Sequence, residues 1–443
     1  MNNSNSEKPL IGFVAWFPNF GETSTLTTIA KKYIEQGGKV IFFGFGKTYQ
    51  HLATDLGCPV IILDYNFSEK LLKKDKVMQK KFDENKMQQE SLLLHPLYKE
   101  NYKCDLINIK NKIEAFKESN IKLIITGFDS LSNISARVLN IPLVYVVSGA
   151  AIAPYYKQNL ASFPDNYENF LTRLVPSFIK NRLSNWFVFN NSSSVKEFNR
   201  LAKAYNVTPI KHLLDFYTGD YTLVAEDIAF LNLKPTAEFP IKNFIGPIFP
   251  EIISVKKEED SDAAVKKHLQ RSGKSILVSL GSSGTKELFI KILRVLEKTD
   301  YNVIAVHTTI FFKQEIPKFK DNILLVQFVS SIKNVNESVD VAIIHGGRGT
   351  VYTAAYAGKP VIGIPMQLEQ QYNIDNLVRH KTAIRISKKR FAEKDLLKAL
   401  DKIFTNYDTF LKNAQLLKEK LKEPKGAENA VKRILEIIEN KKI

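Results

Sequence analysis

Short, almost uninterrupted runs of β-branched and aromatic residues, separated by stretches of helical spacing, constrain this chain more than any other feature. Five occur before residue 150: Ile11 to Phe17, Lys39 to Phe45, Pro59 to Leu63, Ile121 to Phe128 and Ile141 to Val147. Such runs suit strands buried on both faces, and a strand buried on both faces needs helices above and below a parallel sheet. Between the first two, Ser24 to Ile34 carries apolar residues at helical spacing and stops at Gly37-Gly38, a βαβ unit. The pattern restarts with Ser275 to Leu280, Asn302 to Val306, Asn322 to Val329, Val339 to Ile344 and Pro360 to Ile364, with amphipathic segments such as Lys286 to Glu297 between them. The expectation is an α/β chain of two doubly wound parallel domains facing each other across a cleft.

At 443 residues, 44% of them hydrophobic, the chain is long enough for two cores. The break falls in a Pro- and charge-rich stretch from Pro247 to about Asp262, so residues 1–247 are expected to form the first domain, 248–265 a linker and 266–425 the second domain. Beyond Ala392 the spacing is helical, and residues 426–443 read as a last helix able to cross back to the first domain. The lysine-rich stretch from Ser68 to about Lys122 is an insertion by pattern. It reads as an amphipathic helix packed on its own domain or as a basic surface for anionic lipid or an acidic partner.

Lys plus Arg number 63 against 46 Asp plus Glu, a formal charge of +17 that suits nucleic acid, anionic membrane or phosphate-bearing substrates. No nucleic-acid recognition motif accompanies it. Two cysteines, Cys58 and Cys104, are too few for a disulfide scaffold and fit a cytoplasmic protein. The first apolar run is far shorter than the roughly 20 residues that span a bilayer. Seven scattered histidines form no pair with metal-ligand spacing, so no metal site is expected.

The chemistry concentrates in His345-Gly346-Gly347-Arg348-Gly349-Thr350, which follows the strand Val339 to Ile344 and precedes a helix read over Val351 to Ala357. A glycine-rich turn into a helix presents free N–H groups, and the helix dipole adds about half a positive charge there, so a phosphate is stabilised. His345 alone reads equally as a buried structural histidine. Downstream, Pro360 to Pro365 is a strand leading into Met366-Gln367-Leu368-Glu369-Gln370, at the end where open α/β sheets bind ligands. Glu369 and Gln370 together offer acceptors and donors for several sugar hydroxyls.

His345-Gly-Gly-x-Gly-Thr350, Ala357-Gly358-x-Pro360, Pro365 and Glu369-Gln370-x-x-Asn373 resemble the donor-binding signature of the UDP-glycosyltransferase family. The resemblance covers the second domain, including Ser279-Leu280-Gly281-Ser282-Ser283; the first domain is similar in pattern alone. It implies a GT-B fold of two Rossmann-like domains, with the acceptor on the first and the nucleotide sugar on the second. It also implies an inverting, metal-independent transferase with no cofactor beyond its nucleotide-sugar donor, most simply a UDP-sugar. By the same resemblance His345, Gly347, Gly349 and Thr350 contact the diphosphate, Ser282 approaches the donor, Phe328 stacks on the base, and Glu369 and Gln370 hold the sugar. A core aromatic reads equally well at Phe328.

Two positions depart from the family. Where it commonly has Gly-His as the general base, this chain has Gly21-Glu22. Glu22 is therefore the candidate base, with Asp129 near the place of the supporting acid. A carboxylate of ordinary pKa near 4.3 is a weak base, so Glu22 needs a partly desolvated site; capping the first helix is its other reading. Thr353 stands where many plant members have a ribose-binding Glu. Ala151 to Phe178, with Tyr155, Tyr156, Phe163, Tyr167 and Phe170, reads as the wall of a hydrophobic acceptor pocket or as a core stripe. Partners expected are a nucleotide-sugar donor, a small-molecule or lipid acceptor and, at the periphery, an anionic membrane. A lipid-directed transferase and a non-catalytic sugar-nucleotide binder are the alternative functions.

Overall fold

In the computed structural model, which describes residues 8–63, 102–190, 195–249, 258–281, 284–307 and 317–441, the apolar runs become parallel strands. The first unit begins β1 (Leu10–Trp16), α1 (Phe20–Glu35), β2 (Lys39–Phe45) and β3 (Val60–Ile62). It continues through α2 (Tyr102–Glu118), β4 (Leu123–Thr126), α3 (Leu131–Leu139), β5 (Leu143–Val147), α4 (Phe170–Leu174), α5 (Ser177–Asn190) and β6 (Tyr221–Val224). The sheet order is β3-β2-β1-β4-β5-β6, every pair parallel. Strand order reverses between β1 and β4, so the loops after these two strands open a crevice. Glu22 follows β1 and Asp129 follows β4.

The second unit runs α6 (Glu258–Leu269), β7 (Ser275–Ser279), α7 (Lys286–Leu296), β8 (Asn302–Val306), β9 (Ile323–Val326), β10 (Val341–Ile344), α8 (Arg348–Ala357), β11 (Val361–Gly363), α9 (Leu368–Arg379) and β12 (Ala383–Arg385). Its sheet, β12-β11-β10-β7-β8-β9, repeats the winding of the first. The reversal falls between β7 and β10, and His345 follows β10. Alternate residues of the central strands enter different cores: Ile11 and Phe13 lie with α1, whereas Val14 joins the cluster that also holds Leu277 and Ile344 of the second sheet.

Three helices end the chain, α10 (Glu393–Thr405), α11 (Tyr407–Lys420) and α12 (Gly426–Lys441). The last one packs on α1, where Val431, Ile434 and Ile437 share a buried cluster with Leu26, Ile29 and Tyr33. Asn429 fixes the crossing by donating to the Ile245 carbonyl at 2.8 Å. Ile434→Ala is expected to cost about 2–5 kcal/mol, measured by denaturant unfolding; an unchanged midpoint would mean that α12 contributes little to the first domain.

The structure corrects several sequence boundaries. Residues expected to be linker up to 265 are helical from Glu258, because Val265 is buried among the core side chains while the charges on α6 masked its spacing. The first helix starts at Phe20 rather than Ser24, capped by Asn19, whose side chain accepts the Glu22 N–H at 3.1 Å. The cradle helix starts at Arg348 rather than Val351, which places Arg348, Gly349 and Thr350 in its first turn. Of the lysine-rich insertion, 102–118 is α2, with Ile109 and Phe116 in the core; 68–101 lies outside the described residues. No helix among the described residues is long and apolar enough to cross a membrane.

Candidate active site

The second-domain half of the site is built by the turn between β10 and α8. Gly346 adopts φ +90°, and a Cβ there would stand 2.6 Å from the Gln370 carbonyl, so α9 packs directly beneath the turn. Asn373 holds it from below, donating to the Gly346 carbonyl at 3.0 Å. That bond explains the spacing of Gln370 and Asn373, one turn apart on the same face of α9. Gly347 is the extended N-cap, and the first N–H groups of α8 have no partner inside the helix. Above Gly349 nothing lies within 4 Å of where a Cβ would sit, leaving open room over a helix N-terminus suited to an anion. Thr350 donates its hydroxyl to the Gly347 carbonyl at 2.8 Å, fixing the turn.

His345 is buried between Gly281 and Gly347: a Cβ on either glycine would come within 2.5 Å of the ring. Burial pushes its pKa down to about 4, opposed by the Ser279 carbonyl, so the ring is neutral at pH 7. Its Nδ1 is buried without a hydrogen-bond partner among the described residues. Such a ring serves a ligand as a hydrogen-bonding group rather than as a cation.

Arg348, at the variable position of the motif, points out of the cradle to the other domain and donates to the Thr25 hydroxyl of α1 at 2.9 Å. The charge of this guanidinium acts on two carboxylates, Glu369 and Glu226. Burial raises the pKa of Glu369, and Arg348 lowers it in part. Glu226, just beyond β6, is fully buried; its Oε1 accepts the Gly149 N–H at 2.7 Å, and burial raises its pKa to about 7 against the pull of Gly149 and Arg348. Sequence reading missed Glu226. Its signal was an acidic residue at the carboxyl end of an apolar strand, where such sheets place ligands.

The first-domain half centres on Glu22. Only 3% of it is exposed, and its Oε1 accepts the Phe128 N–H at 2.9 Å, while Oε2 is buried with no hydrogen-bond partner among the described residues. Burial raises its pKa to about 8, with the Phe128 N–H pulling down and the Asp129 charge pushing up. The desolvation that a carboxylate base requires is therefore present. It is Asn19, not the Glu22 side chain, that caps α1.

Asp129 makes a 2.8 Å ion pair with buried Lys112 of α2 and accepts the Ser132 hydroxyl at 2.5 Å. Lys112→Met would leave that carboxylate without its cation, and an expected cost of about 3–5 kcal/mol follows for breaking such a pair. Denaturant melts check this, and an unchanged midpoint would mean that water already serves Asp129.

Other expected residues fall in different places. Phe328, beyond β9, is 43% exposed, as a stacking platform has to be and a core aromatic is not. Gln370 is buried and uses its Oε1 to accept the Met366 N–H at 2.9 Å, holding the loop before α9; Glu369 beside it is half-buried. Ser282 lies outside the described residues. Thr353 donates to the Thr350 carbonyl at 3.0 Å.

The acceptor-pocket stretch divides. Tyr155 and Tyr156 are buried against Tyr372 of the second domain, with ring centroids at 5.9 and 6.3 Å, so they join the domains rather than wall a pocket. Gln371 and Arg385 extend the same bridge, Gln371 donating to the Phe163 carbonyl at 2.9 Å and Arg385 pairing with Asp165 at 2.6 Å. A cavity of about 300 Å³ lies between Pro164–Asn166 and the segment Pro365–Leu368, which runs from the loop into the first turn of α9 beside Glu369. Among the described residues no three His, Cys, Asp or Glu side chains are grouped to hold a metal ion.

Comparison with known proteins bears on both halves. Residues 275–434 match the glycosyltransferase family 28 C-terminal domain. Over 75 residues the chain is 36% identical to UDP-glucuronosyltransferase 2B15 of Rattus norvegicus, covering 17% of this chain and 14% of that protein. Over 221 residues it is 23% identical to the UDP-N-acetylglucosamine--N-acetylmuramyl-(pentapeptide) pyrophosphoryl-undecaprenol N-acetylglucosamine transferase of Bacillus subtilis, covering 46% and 59%. The matches span less than two thirds of either relative. The calicheamicin glycosyltransferase CalG4 superposes with a TM-score of 0.65 at 14% identity over 97% of this chain and 98% of its own. Two Rossmann-like domains face each other here as in GT-B glycosyltransferases.

Proposed function

We propose that this chain, which resembles the UDP-glycosyltransferase family and has the GT-B fold, transfers a sugar from a nucleotide diphosphate to a hydrophobic acceptor. The observation that carries the proposal is the open N-terminus of α8, roofed by no side chain at Gly349 and tied through Arg348 to the opposing domain. UDP is the nucleotide proposed, since two relatives carry it in their names.

The steps follow from the groups in place. The diphosphate sits on the first-turn N–H groups of α8 beside neutral His345, the base stacks on Phe328, and Glu369 holds sugar hydroxyls. The Glu22 carboxylate takes the proton of an acceptor hydroxyl as its oxygen attacks the anomeric carbon. The bond from that carbon to the diphosphate oxygen breaks, and its electron pair leaves with the diphosphate. Attack from the face opposite the leaving group inverts the anomeric centre. Backbone dipoles already aimed at the leaving oxygen stabilise it without reorganising, so we propose that no metal is required. Cys58 and Cys104 are both free thiols, in keeping with a cytoplasmic site of action.

Incubation with UDP-sugars and a panel of hydrophobic alcohols and phenols tests this reading. Expected is a product of inverted anomeric configuration by NMR, formed equally in EDTA; a retained configuration or a need for metal would refute it. A second reading, a lipid acceptor reached at a membrane surface, is favoured by the exposed apolar residues of α4 and α5.

A further inference from the structure

Only the C-terminal end of α5 turns apolar side chains inward, where Val188 and Phe189 pack on the core; the rest of the helix turns asparagines inward and leaves its large apolar side chains in solvent. The face turned to the protein carries Asn185, buried and donating to the Ala161 carbonyl at 3.1 Å, and Asn181 one turn earlier, whose Oδ1 accepts the Phe163 N–H at 2.8 Å. The opposite face carries Leu183, Trp186 and Phe187, and Phe178 in the first turn of the helix is exposed as well, all between 58 and 73%. A helix lying on a water-soluble domain normally buries its apolar stripe. Preceding α4 adds Phe170 and Leu174, 74 and 71% exposed.

Among the described residues, every large apolar side chain exposed by 60% or more lies between Tyr167 and Trp186. Single exposed apolar residues are ordinary, but a contiguous set this dense marks an interaction surface. Small-molecule sites are concave, whereas these side chains are exposed by 58 to 74% and line neither described cavity.

Charge identifies the occupant. From Asn169 to Asn190 the sequence has no Asp or Glu but has Arg173, Lys180 and Arg182, and Arg173 and Arg182 are exposed. Exposed Lys389, from the second domain, lies alongside with its Nζ on the Glu168 carbonyl at 2.9 Å. An apolar face rimmed by cations, with a Trp among its exposed members, matches the interface of an anionic bilayer. A second copy docked face to face would set these cations against themselves.

We infer that α4 and α5 form a docking surface for anionic membrane, with Phe178, Leu183, Trp186 and Phe187 entering the interface and Arg173 and Arg182 on the headgroups. The inference rests on the lipid-acceptor reading above and specifies its partner. Docked so, the site lies close to the lipid: Phe163, held by Asn181, is also held by Gln371, two residues beyond Glu369.

The chain contains two tryptophans, Trp16 buried and Trp186 62% exposed, so Trp186 reports on the surface. The full chain is mixed with vesicles of phosphatidylcholine alone or with added phosphatidylglycerol. Expected are co-sedimentation with the anionic vesicles, weakened by salt, a blue shift of the Trp186 emission, and at least tenfold weaker binding by Phe178→Ser/Phe187→Ser at unchanged melting temperature. Arg173→Gln/Arg182→Gln is expected to lose the preference for phosphatidylglycerol. No binding, binding that leaves the Trp186 emission unmoved, or a concentration-dependent dimer that the serine variant dissolves would each overturn the inference. UDP affinity measured on the same samples separates the claims: UDP binding without vesicle binding removes this surface alone, and vesicle binding without UDP binding removes the transferase reading alone.

Discussion

Glu22→Gln is expected to slow sugar transfer by about 10²- to 10⁴-fold, the usual contribution of a positioned base, while nucleotide affinity changes by less than about twofold. Glutamine keeps the shape and can still accept the Phe128 N–H at its carbonyl, so the fold is retained and the proton acceptor is lost. The wild-type pH profile is the second readout. With a pKa of about 8, roughly a tenth of Glu22 is ionised at pH 7, so the rate should climb with pH and level off above about 8. Asp129→Asn removes a charge that raises this pKa and is expected to move that limb to lower pH.

The same shift sets the sign of a stability effect. The folded pKa of about 8 exceeds the unconstrained 4.5, so the folded state holds a proton that the unfolded chain releases between these values. The contribution is fully present at low pH and is lost as pH rises towards 8. Glu22→Gln should therefore gain stability relative to wild type on the alkaline side. Full transfer activity in Glu22→Gln would sink the base assignment, whatever the melts show.

Gly349→Val is expected to weaken nucleotide binding by about 10²-fold or more, the scale of losing donors preorganised for an oxyanion. The new side chain meets open space, so stability should stay within about 0.5 kcal/mol, as for other exposed positions without special contacts. Affinity lost with the melting temperature unchanged locates the diphosphate above the first turn of α8. Undiminished binding in Gly349→Val would move the donor elsewhere. Gly347→Val is a harsher companion, because its Cβ would lie 2.4 Å from the His345 Nε2 and must displace the ring.

What could be read from the sequence was local. A strand, two glycines and a helix in succession make the cradle at His345–Thr350 without help from the rest of the fold, and repeated apolar runs reveal two parallel sheets because period and length need no third dimension. The helix starts at Phe20 and Arg348 were placed late because Asn19 and Gly347 cap before the apolar spacing begins. Contacts between distant segments were out of reach. Arg348 reaches Thr25 across 323 positions, and Lys112 pairs with Asp129 from a helix that looked like part of a solvated insertion.

The aromatics from Tyr155 to Phe170 illustrate the same limit from the other side. Spacing shows that a helix has an apolar face but not which way the face turns. Tyr155 and Tyr156 turned inward to Tyr372, whereas Phe170 turned outward with the apolar face of α5. Two inward-facing asparagines decided the second case, since half-buried Asn181 and buried Asn185 find backbone partners at Phe163 and Ala161 that water would otherwise supply.

Calorimetric titration of the purified chain with UDP, and with dTDP and GDP beside it, tests most directly whether the β10–α8 turn is a nucleotide-diphosphate site. Saturable single-site binding of UDP, tighter than of the other two and abolished by Gly349→Val, is the predicted result; no binding of any of the three would contradict it.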